Sequence, residues 1–291
     1  MKRGPHILVI GESGNGKSTF AATVIQKRNP RPVLVQLFDP RDKGTPYRNR
    51  GGRITLEEYP FGVREQVWDG DKHIATIETW HERQGKGSRG VTMKGGEQLH
   101  TRLESYIQQG ETFELYLERM ANFVDEASDW YAFIFDSTTF AEMMIRSYLT
   151  GKMKVADNMM IWSQATDEME RYLFGMFPDL DITTIVLTHV ITEKQMGKGK
   201  DAYTEPAYWA KLPGRLKNGI FSAFGENYRA ITKIEKDESG ESKLNFYLQT
   251  ATDGKWKMSS QLKVENPLGP SPHWKDIYRA ALRNRPEGEA E

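Results

Sequence analysis

A glycine-rich octapeptide near the N-terminus, GESGNGKS over residues 11–18, carries the clearest chemistry in the sequence. Its three glycines allow positive φ angles, so successive backbone N–H groups can wrap closely around phosphate oxygens. A helix that begins near Lys17 adds its positive end, and the lysine extends to the β- and γ-phosphates. Ser18 offers a hydroxyl to Mg²⁺, and Thr19 approaches the α-phosphate. The predicted nucleotide-binding residues are Gly11, Ser13, Gly14, Asn15, Gly16, Lys17, Ser18 and Thr19.

A phosphate loop needs a carboxylate on another strand to complete the Mg²⁺ shell. Asp136 follows Tyr131–Phe135, an apolar run typical of a buried strand. Ligands of open α/β sheets bind at the carboxyl ends of strands, so we expect Asp136 to contact the metal through water or through Ser18. The alternatives are an aspartate that only caps the following helix and a glycine-rich turn that binds no phosphate.

Further polar side chains follow other predicted strands. Asp39 ends the strand Val33–Phe38 and could orient an attacking water, as could Asp42; a turn-forming role is the alternative for Asp39. Glu78 lies late in an apolar run of a predicted hairpin and ranks below both aspartates.

Thr188 and His189 end the strand predicted over Ile182–Leu187. A polar pair at this place can face the γ-phosphate and report its presence. The alternative is an ordinary surface or core histidine, which is the commoner role of a single histidine.

The elements that must position these residues alternate between strand and helix. A buried strand over His6–Ile10 precedes the loop, a helix over 17–28 follows it, and the strand Val33–Phe38 comes next. This βαβ order predicts parallel strands. Apolar residues at helical spacing over 113–127, 140–147 and 169–177 predict further helices around the later strands.

The stretch from about 41 to 110 is predicted to be an insertion. Val63–Trp68 and His73–Thr79 flank Asp69-Gly70, a plausible hairpin turn. Gln84–Gln98 contains five glycines among lysines and arginines and is predicted to be a mobile loop.

The fold class predicted from this order is α/β, with a mostly parallel twisted sheet flanked by helices. Tyr228–Ile234 and Leu244–Thr250 predict a C-terminal antiparallel extension. We expect a single domain over 1–265 with the insertion at about 41–110, and then a C-terminal helix and a flexible acidic tail over 266–291.

The composition bounds the class of protein. The 291 residues contain 40 Lys+Arg and 40 Asp+Glu, so the zero net charge gives no whole-chain argument for binding nucleic acid or an anionic membrane. The sequence has no cysteine, which excludes a disulfide scaffold, a cysteine-ligated metal and a thiol nucleophile. No apolar run is long enough to span a bilayer. These features fit a globular protein of a reducing cytoplasm.

Three segments together resemble those of a RecA-type ATPase. They are residues 11–19, the run FIFDSTT over 133–139 and the run IVLTH over 185–189. The resemblance covers roughly residues 5–40 and 112–260, and it implies a RecA-like P-loop core that binds ATP and Mg²⁺. Because the loop begins at Gly11, we expect no N-terminal filament-forming domain.

A later segment is similar to small RecA-like ATPases encoded by bacteriophages, which are associated with single-strand annealing and homologous recombination. It runs LPGRLK over 212–217, continues through 224–231 and a hairpin, and reaches DGKW over 253–256. This resemblance implies a homo-oligomer that acts on single-stranded DNA, a phage single-strand-binding protein as a partner, and the cytoplasm of the bacterial host.

The resemblance also implies roles for single residues. The family's catalytic glutamate ends the strand after the phosphate-loop helix, and no glutamate follows Phe38 here. Either Asp39 or Asp42 takes that place, or hydrolysis is slow. The implied catalytic set is therefore Lys17, Asp39, Asp136 and His189, with Ser18 and Asp136 at the metal.

Lysines alternate with aromatic residues in the segment Val190–Lys211, where cations could track phosphates and rings could stack on unpaired bases. A second candidate for DNA contact is Lys152–Trp162; a solvated loop with buried aromatics is the alternative for both. The DNA-binding candidates are Lys194, Lys198, Lys200 and Trp209, and the cations that could act on the ATP of a neighbouring subunit are Lys211, Arg215 and Arg229. Ordinary surface charge is the alternative for these three.

Two other functions stay open at this point. A small-molecule P-loop kinase could build its acceptor site from the insertion at 41–110, although no arginine-rich lid is evident. A non-enzymatic module could use ATP as a structural switch in an assembly, because the catalytic glutamate is missing.

Overall fold

A computed structural model of the 291-residue chain describes residues 4–39, 44–59, 63–79, 91–94, 97–98, 109–151, 157–195, 205–236, 239–253 and 257–284. They form an α/β arrangement in which one mixed sheet carries helices on both faces. Across these ranges, no helix combines the length and apolar character that crossing a bilayer requires.

The sheet has thirteen strands in the described parts of the chain. Their bounds are β1 (His6–Gly11), β2 (Val33–Leu37), β3 (Ile54–Glu58), β4 (Val63–Asp69), β5 (Lys72–Thr79), β6 (Val91–Lys94), β7 (Glu97–Gln98), β8 (Ala132–Asp136), β9 (Thr183–Gln195), β10 (Glu205–Ala210), β11 (Glu226–Lys236), β12 (Ser242–Gln249) and β13 (Ser259–Ser260). The spatial order is β12-β11-β1-β9-β8-β2-β3-β4-β5-β6-β7, while β10 pairs with β9 and β13 with β11. Neighbours from β11 to β3 are parallel, and the remaining pairs are antiparallel.

The helices follow the strands as a βαβ pattern requires. They are α1 (Lys17–Ala21), α2 (Thr45–Arg48), α3 (Gln109–Glu126), α4 (Thr138–Gly151), α5 (Asn158–Glu170), α6 (Leu216–Ala223) and α7 (Trp274–Arg283). The prediction of a helix over 17–28 is wrong beyond residue 24, because α1 passes into a 3-10 turn over Ala22–Val24 and the chain is extended at Ile25. The β-branched run Thr23-Val24-Ile25 disfavours a continued helix.

Alternating side chains of the central strands build a core on each face of the sheet. In β1, Leu8 and Ile10 join the apolar cluster that includes residues of α3, α4 and α5. Ile7 and Val9 point to the other face, into the cluster that includes residues of α1 and α7. Burial on both faces explains the continuous apolar run of β1.

The predicted α/β class, the mostly parallel sheet and the C-terminal antiparallel pair β11 and β12 are confirmed. The predicted hairpin at Asp69-Gly70 is also present, since β4 and β5 pair around it and Gly70 has a φ of 62°. The acidic tail beyond residue 284 lies outside the described residues.

The 41–110 stretch contains strands that the sequence did not predict. Strand β3 pairs in parallel with β2 and buries Ile54 and Leu56 in the core. The prediction of a loop over Gln84–Gln98 is wrong at β6 and β7, which extend the antiparallel edge of the sheet beyond β5. The other residues of that loop are outside the described ranges.

Candidate functional site

The glycine-rich octapeptide forms the turn between β1 and α1. Gly14 and Gly16 have φ angles of 83° and 77°, in the region that glycine adopts most readily. A Cβ on Gly14 would meet no atom of the described residues within 4 Å, so these residues leave the space beside the loop open. Gly11 differs from the prediction, because it has no positive φ. Its lack of a side chain instead lets β11 approach, since a Cβ there would lie 2.9 Å from the Ala230 carbonyl oxygen.

Lys17 is buried at the start of α1, with 6% of its surface exposed. Its ammonium donates to the carbonyl oxygens of Gly11 at 2.9 Å and Glu12 at 2.8 Å. Burial lowers the pKa of Lys17 to about 8, and the nearby carboxylates of Asp136, Glu12 and Asp39 oppose that shift. A buried cation at the loop is the charge that a bound phosphate would pair with.

Ser18 and Asp136 meet across the sheet, as the sequence predicts. The Ser18 hydroxyl donates to Asp136 Oδ2 at 2.7 Å, although 118 positions separate the two residues. Asp136 ends β8 and is buried. A second donor reaches the same oxygen, because the Tyr47 hydroxyl lies 2.7 Å from Asp136 Oδ2. Sequence reasoning missed Tyr47, since nothing in its local pattern indicates a partner 89 positions away.

Asp39 and His189 border the same cleft, which has a volume of about 240 Å³. Its walls are formed by Ser13, Gly14, Gly16, Lys17, Ser18, Thr19, Asp39, Pro46, Asp136, His189 and Phe246. The predicted catalytic residues therefore converge on one place. Asp42 lies outside the described residues, and of Glu78 the structure describes the strand and not the side chain.

His189 does not end its strand, contrary to the prediction. Strand β9 continues to Gln195 because β10 pairs antiparallel with its second half, and His189 is level with Gly11 of β1. Burial, and then the charge of Lys17, lowers the pKa of His189 to about 4; Asp39 opposes this and Lys211 adds to it. Its Nδ1 atom is buried and has no hydrogen-bond partner among the described residues.

The donors at the cleft fit Mg²⁺. The ion is usually bound by one or two carboxylates together with phosphate oxygens and waters, and here a carboxylate and a hydroxyl lie beside the loop. In the described part of the chain, no group of three or more histidine, aspartate or glutamate side chains could hold a metal by itself. This donor set therefore suits an ion that arrives with phosphate.

The C-terminal strand pair also contacts the loop, which the sequence did not predict. The Asn15 side-chain amide donates to the Ala230 carbonyl at 3.3 Å, and the Thr232 hydroxyl donates to Asn15 Oδ1 at 3.4 Å. The Phe246 ring packs against Gly16, where a Cβ would come within 2.4 Å of its Cδ1 atom. Strands β11 and β12 thus support one side of the loop.

A larger groove of about 700 Å³ lies beside α4, α5 and the segment before α6. Trp162 lines it with 44% of its surface exposed, and the Arg146 guanidinium stacks 4.2 Å from the ring centroid. Arg146 also pairs with the buried Glu142. The groove therefore offers an aromatic ring beside cations.

The predicted cations outside the cleft occupy different surroundings. Lys211 lines the groove, and its backbone N–H donates to the His189 carbonyl at 2.7 Å. Arg215 is paired within the chain to Glu170 at 2.5 Å and to Asp167 at 3.1 Å. Arg229 donates to the Gln249 side chain at 3.3 Å, on the outer strands of the sheet.

The predicted DNA-binding segment consists partly of paired strands. Lys194 lies on β9 and Trp209 on β10, and the structure describes their backbones and not their side chains. Lys198 and Lys200 are outside the described residues. Of the second candidate segment, residues 157–162 are described and include Trp162.

The interpretation of the site rests on its geometry, because comparison with known families and curated proteins gives no match. No model of a known protein family matches the sequence. No curated protein matches it either.

Proposed function

We propose that the chain binds Mg²⁺-ATP at the glycine-rich loop, hydrolyses it, and acts on single-stranded DNA as a RecA-like protein. The observation that carries the proposal is the 2.7 Å hydrogen bond from Ser18 to Asp136 Oδ2. It joins the loop serine to the one acidic side chain that a triphosphate site requires, across β9, which lies between β1 and β8. Agreement of two distant motifs is far more specific than either motif alone.

Each residue of the cleft has a role in this proposal. Bound Mg²⁺ would neutralise charge on the phosphates, and Ser18 and Asp136 would hold it. Lys17, buried beside the loop, would bind the terminal phosphates. Asp39 would orient the attacking water and accept its proton, and His189, neutral at pH 7, would line the wall nearest the γ-phosphate.

The groove supports the nucleic-acid part of the proposal. An exposed tryptophan beside an arginine provides a ring for base stacking and a cation for the backbone. Lys211 extends the positive charge along the same groove. The same proposal includes assembly into a homo-oligomer, in which Lys211, Arg215 or Arg229 acts on the ATP of a neighbouring subunit. It also includes a phage single-strand-binding protein as partner and a location in the cytoplasm of the bacterial host.

ATP turnover with Mg²⁺, measured with and without single-stranded DNA and together with particle size, tests the proposal. We expect turnover that DNA accelerates, and Lys17→Ala should abolish it. If DNA changed neither the rate nor the size, the recombination function would be wrong and the ATPase would remain. Phosphate transfer to an added nucleoside would favour the kinase, and ATP binding without turnover would favour the switch module.

A further inference from the structure

Tyr47 reaches the cleft from an element that the sequence did not reveal. It lies on α2, which comes after β2 and Asp39 and before β3 in the chain. Its ring is fully buried. Its hydroxyl and that of Ser18 donate to the same oxygen of Asp136, each at 2.7 Å. The carboxylate is therefore oriented by the loop on one side and by α2 on the other.

The contacts that hold α2 against β3 leave the Tyr47 side chain little conformational freedom. Gly44, with a φ of 68°, accepts backbone hydrogen bonds from Tyr47 at 3.0 Å and Arg48 at 3.1 Å. A Cβ on Gly44 would come within 2.4 Å of Leu56 Cδ2, so the turn sits directly on β3. Arg48 also pairs with Glu58 of β3 at 2.9 Å. Tyr47 is thus held in place by packing and by an ion pair that do not involve Asp136.

We propose that Tyr47 is a positioning residue for the Mg²⁺ site and acts through Asp136. The proposal rests on the function proposed above. A side chain with a fixed donor on one carboxylate oxygen loses rotational freedom, so its geometry for a metal is set before the ion arrives. Partners of this kind commonly change metal affinity by about 10- to 100-fold when they are removed.

A second buried tyrosine provides a matched control. The Tyr59 hydroxyl donates to Glu57 Oε2 at 2.6 Å, and that carboxylate also pairs with Arg119. Tyr59 belongs to the core cluster on the opposite face of the sheet from α1. Tyr47→Phe and Tyr59→Phe therefore each remove one buried phenol–carboxylate hydrogen bond, and only the first concerns the cleft.

The experiment titrates Mg²⁺ into protein mixed with a fluorescent, non-hydrolysable ATP analogue, so that it measures binding and not turnover. For Tyr47→Phe we expect the Mg²⁺ concentration at half-maximal binding to rise about tenfold. Analogue binding in EDTA should stay unchanged. Tyr59→Phe should keep the wild-type Mg²⁺ requirement. Asp136→Asn with Tyr47→Phe should have the same requirement as Asp136→Asn alone, since the tyrosine acts through that carboxylate.

Three outcomes distinguish the possibilities. Wild-type protein that binds no analogue would refute the proposed function itself. A wild-type protein with normal Mg²⁺ dependence and an unchanged Tyr47→Phe variant would refute the role of Tyr47 alone. Equal losses with and without Mg²⁺ would also overturn it, because Tyr47 would then shape the loop and not the metal site.

Thermal unfolding checks that each variant is folded. If Tyr47→Phe does not fold, Arg48→Gln provides the second test, because it removes the ion pair to Glu58 that holds α2 and leaves the Tyr47 phenol in the chain. We expect its Mg²⁺ requirement to rise about threefold, with analogue binding in EDTA unchanged. An unchanged Mg²⁺ requirement would overturn the proposal.

Discussion

The cleft at the glycine-rich loop and the groove beside α4 and α5 differ in size and in how their polar groups are used. The groove has a volume of about 700 Å³ and the cleft about 240 Å³. In the cleft, hydroxyls from two separate elements converge on one buried carboxylate. In the groove, charged side chains pair with one another, as Arg215 does with Asp167. Convergence of polar atoms, and not volume, indicates where chemistry can occur.

The two regions share one strand. His189 borders the cleft, while Ile191, two positions later on β9, lines the groove. The Lys211 backbone bonds to His189, and its ammonium contributes to the lowered pKa of that histidine. This hydrogen bond and this charge are the contacts through which a change in the groove would act on the cleft.

The largest effect should come from the convergent carboxylate. Asp136→Asn removes a negative charge that faces Ser18 and lies near Lys17, and we expect Mg²⁺-dependent ATP turnover to fall about 100-fold or more. Asp129→Asn, at an exposed position after α3, should leave turnover unchanged. Steady-state ATPase rates at saturating Mg²⁺ provide the measurement. Equal rates for the two variants would contradict this prediction, because Asp136 would then contribute no more to turnover than an exposed aspartate.

A smaller effect is expected in the groove. Trp162→Ala removes an exposed ring, and stacking of one base is worth about 1–3 kcal/mol, so affinity for single-stranded DNA should fall about tenfold. Tyr278→Ala removes a similarly exposed ring from α7, which lines neither cavity. Fluorescence anisotropy with a labelled oligonucleotide measures both variants, and basal ATP turnover should not change. An unaltered affinity for Trp162→Ala would remove the groove from the DNA-binding surface.

The cleft could largely be predicted because its signals are local. The spacing of 11–18 encodes the loop by itself, and the apolar run before Asp136 encodes a strand whose end faces the ligand edge. The parallel order of β1, β8 and β9 then brings the predicted residues together. Sequence reasoning thus anticipated which residues lie together where one short segment determines the local structure, while their chemistry stays a prediction.

What sequence reasoning missed depends on contacts between distant segments. The local sequence around Tyr47 and Phe246 does not indicate their role, since each becomes part of the cleft only through contacts with residues far away in the chain. Strand β9 was expected to end at His189, but pairing with β10 extends it. Trp162 and Lys211 were singled out in the sequence, but the groove that they share was not predicted, because several separate elements form its walls.

The pH dependence of nucleotide binding tests whether the charge of Lys17 contributes to binding in the cleft. With a lowered pKa of about 8, Lys17 loses its proton as pH rises, and a bound phosphate would raise that pKa. ADP affinity should therefore fall about fourfold between about pH 7 and 8.5. Titration calorimetry measures it. Lys17→Arg binds through a guanidinium that stays charged, so its affinity should not decline over this range.

A further prediction concerns acid stability, and the smallest effect in it, that of Lys211, tests the link between the two regions. Because the pKa of His189 is about 4 in the folded chain and near 6.5 when unfolded, the unfolded chain takes up the proton first as pH falls. The neutral histidine's contribution to stability is thus complete above pH 6.5 and declines down to about pH 4. His189→Gln should lose fewer degrees of melting temperature over this window than wild type. Lys211→Met should also lose fewer, because removing that cation brings the pKa of His189 closer to its ordinary value. If Lys211→Met behaved like wild type while His189→Gln did not, the groove cation would have no influence on the cleft, and the two regions would be electrostatically independent.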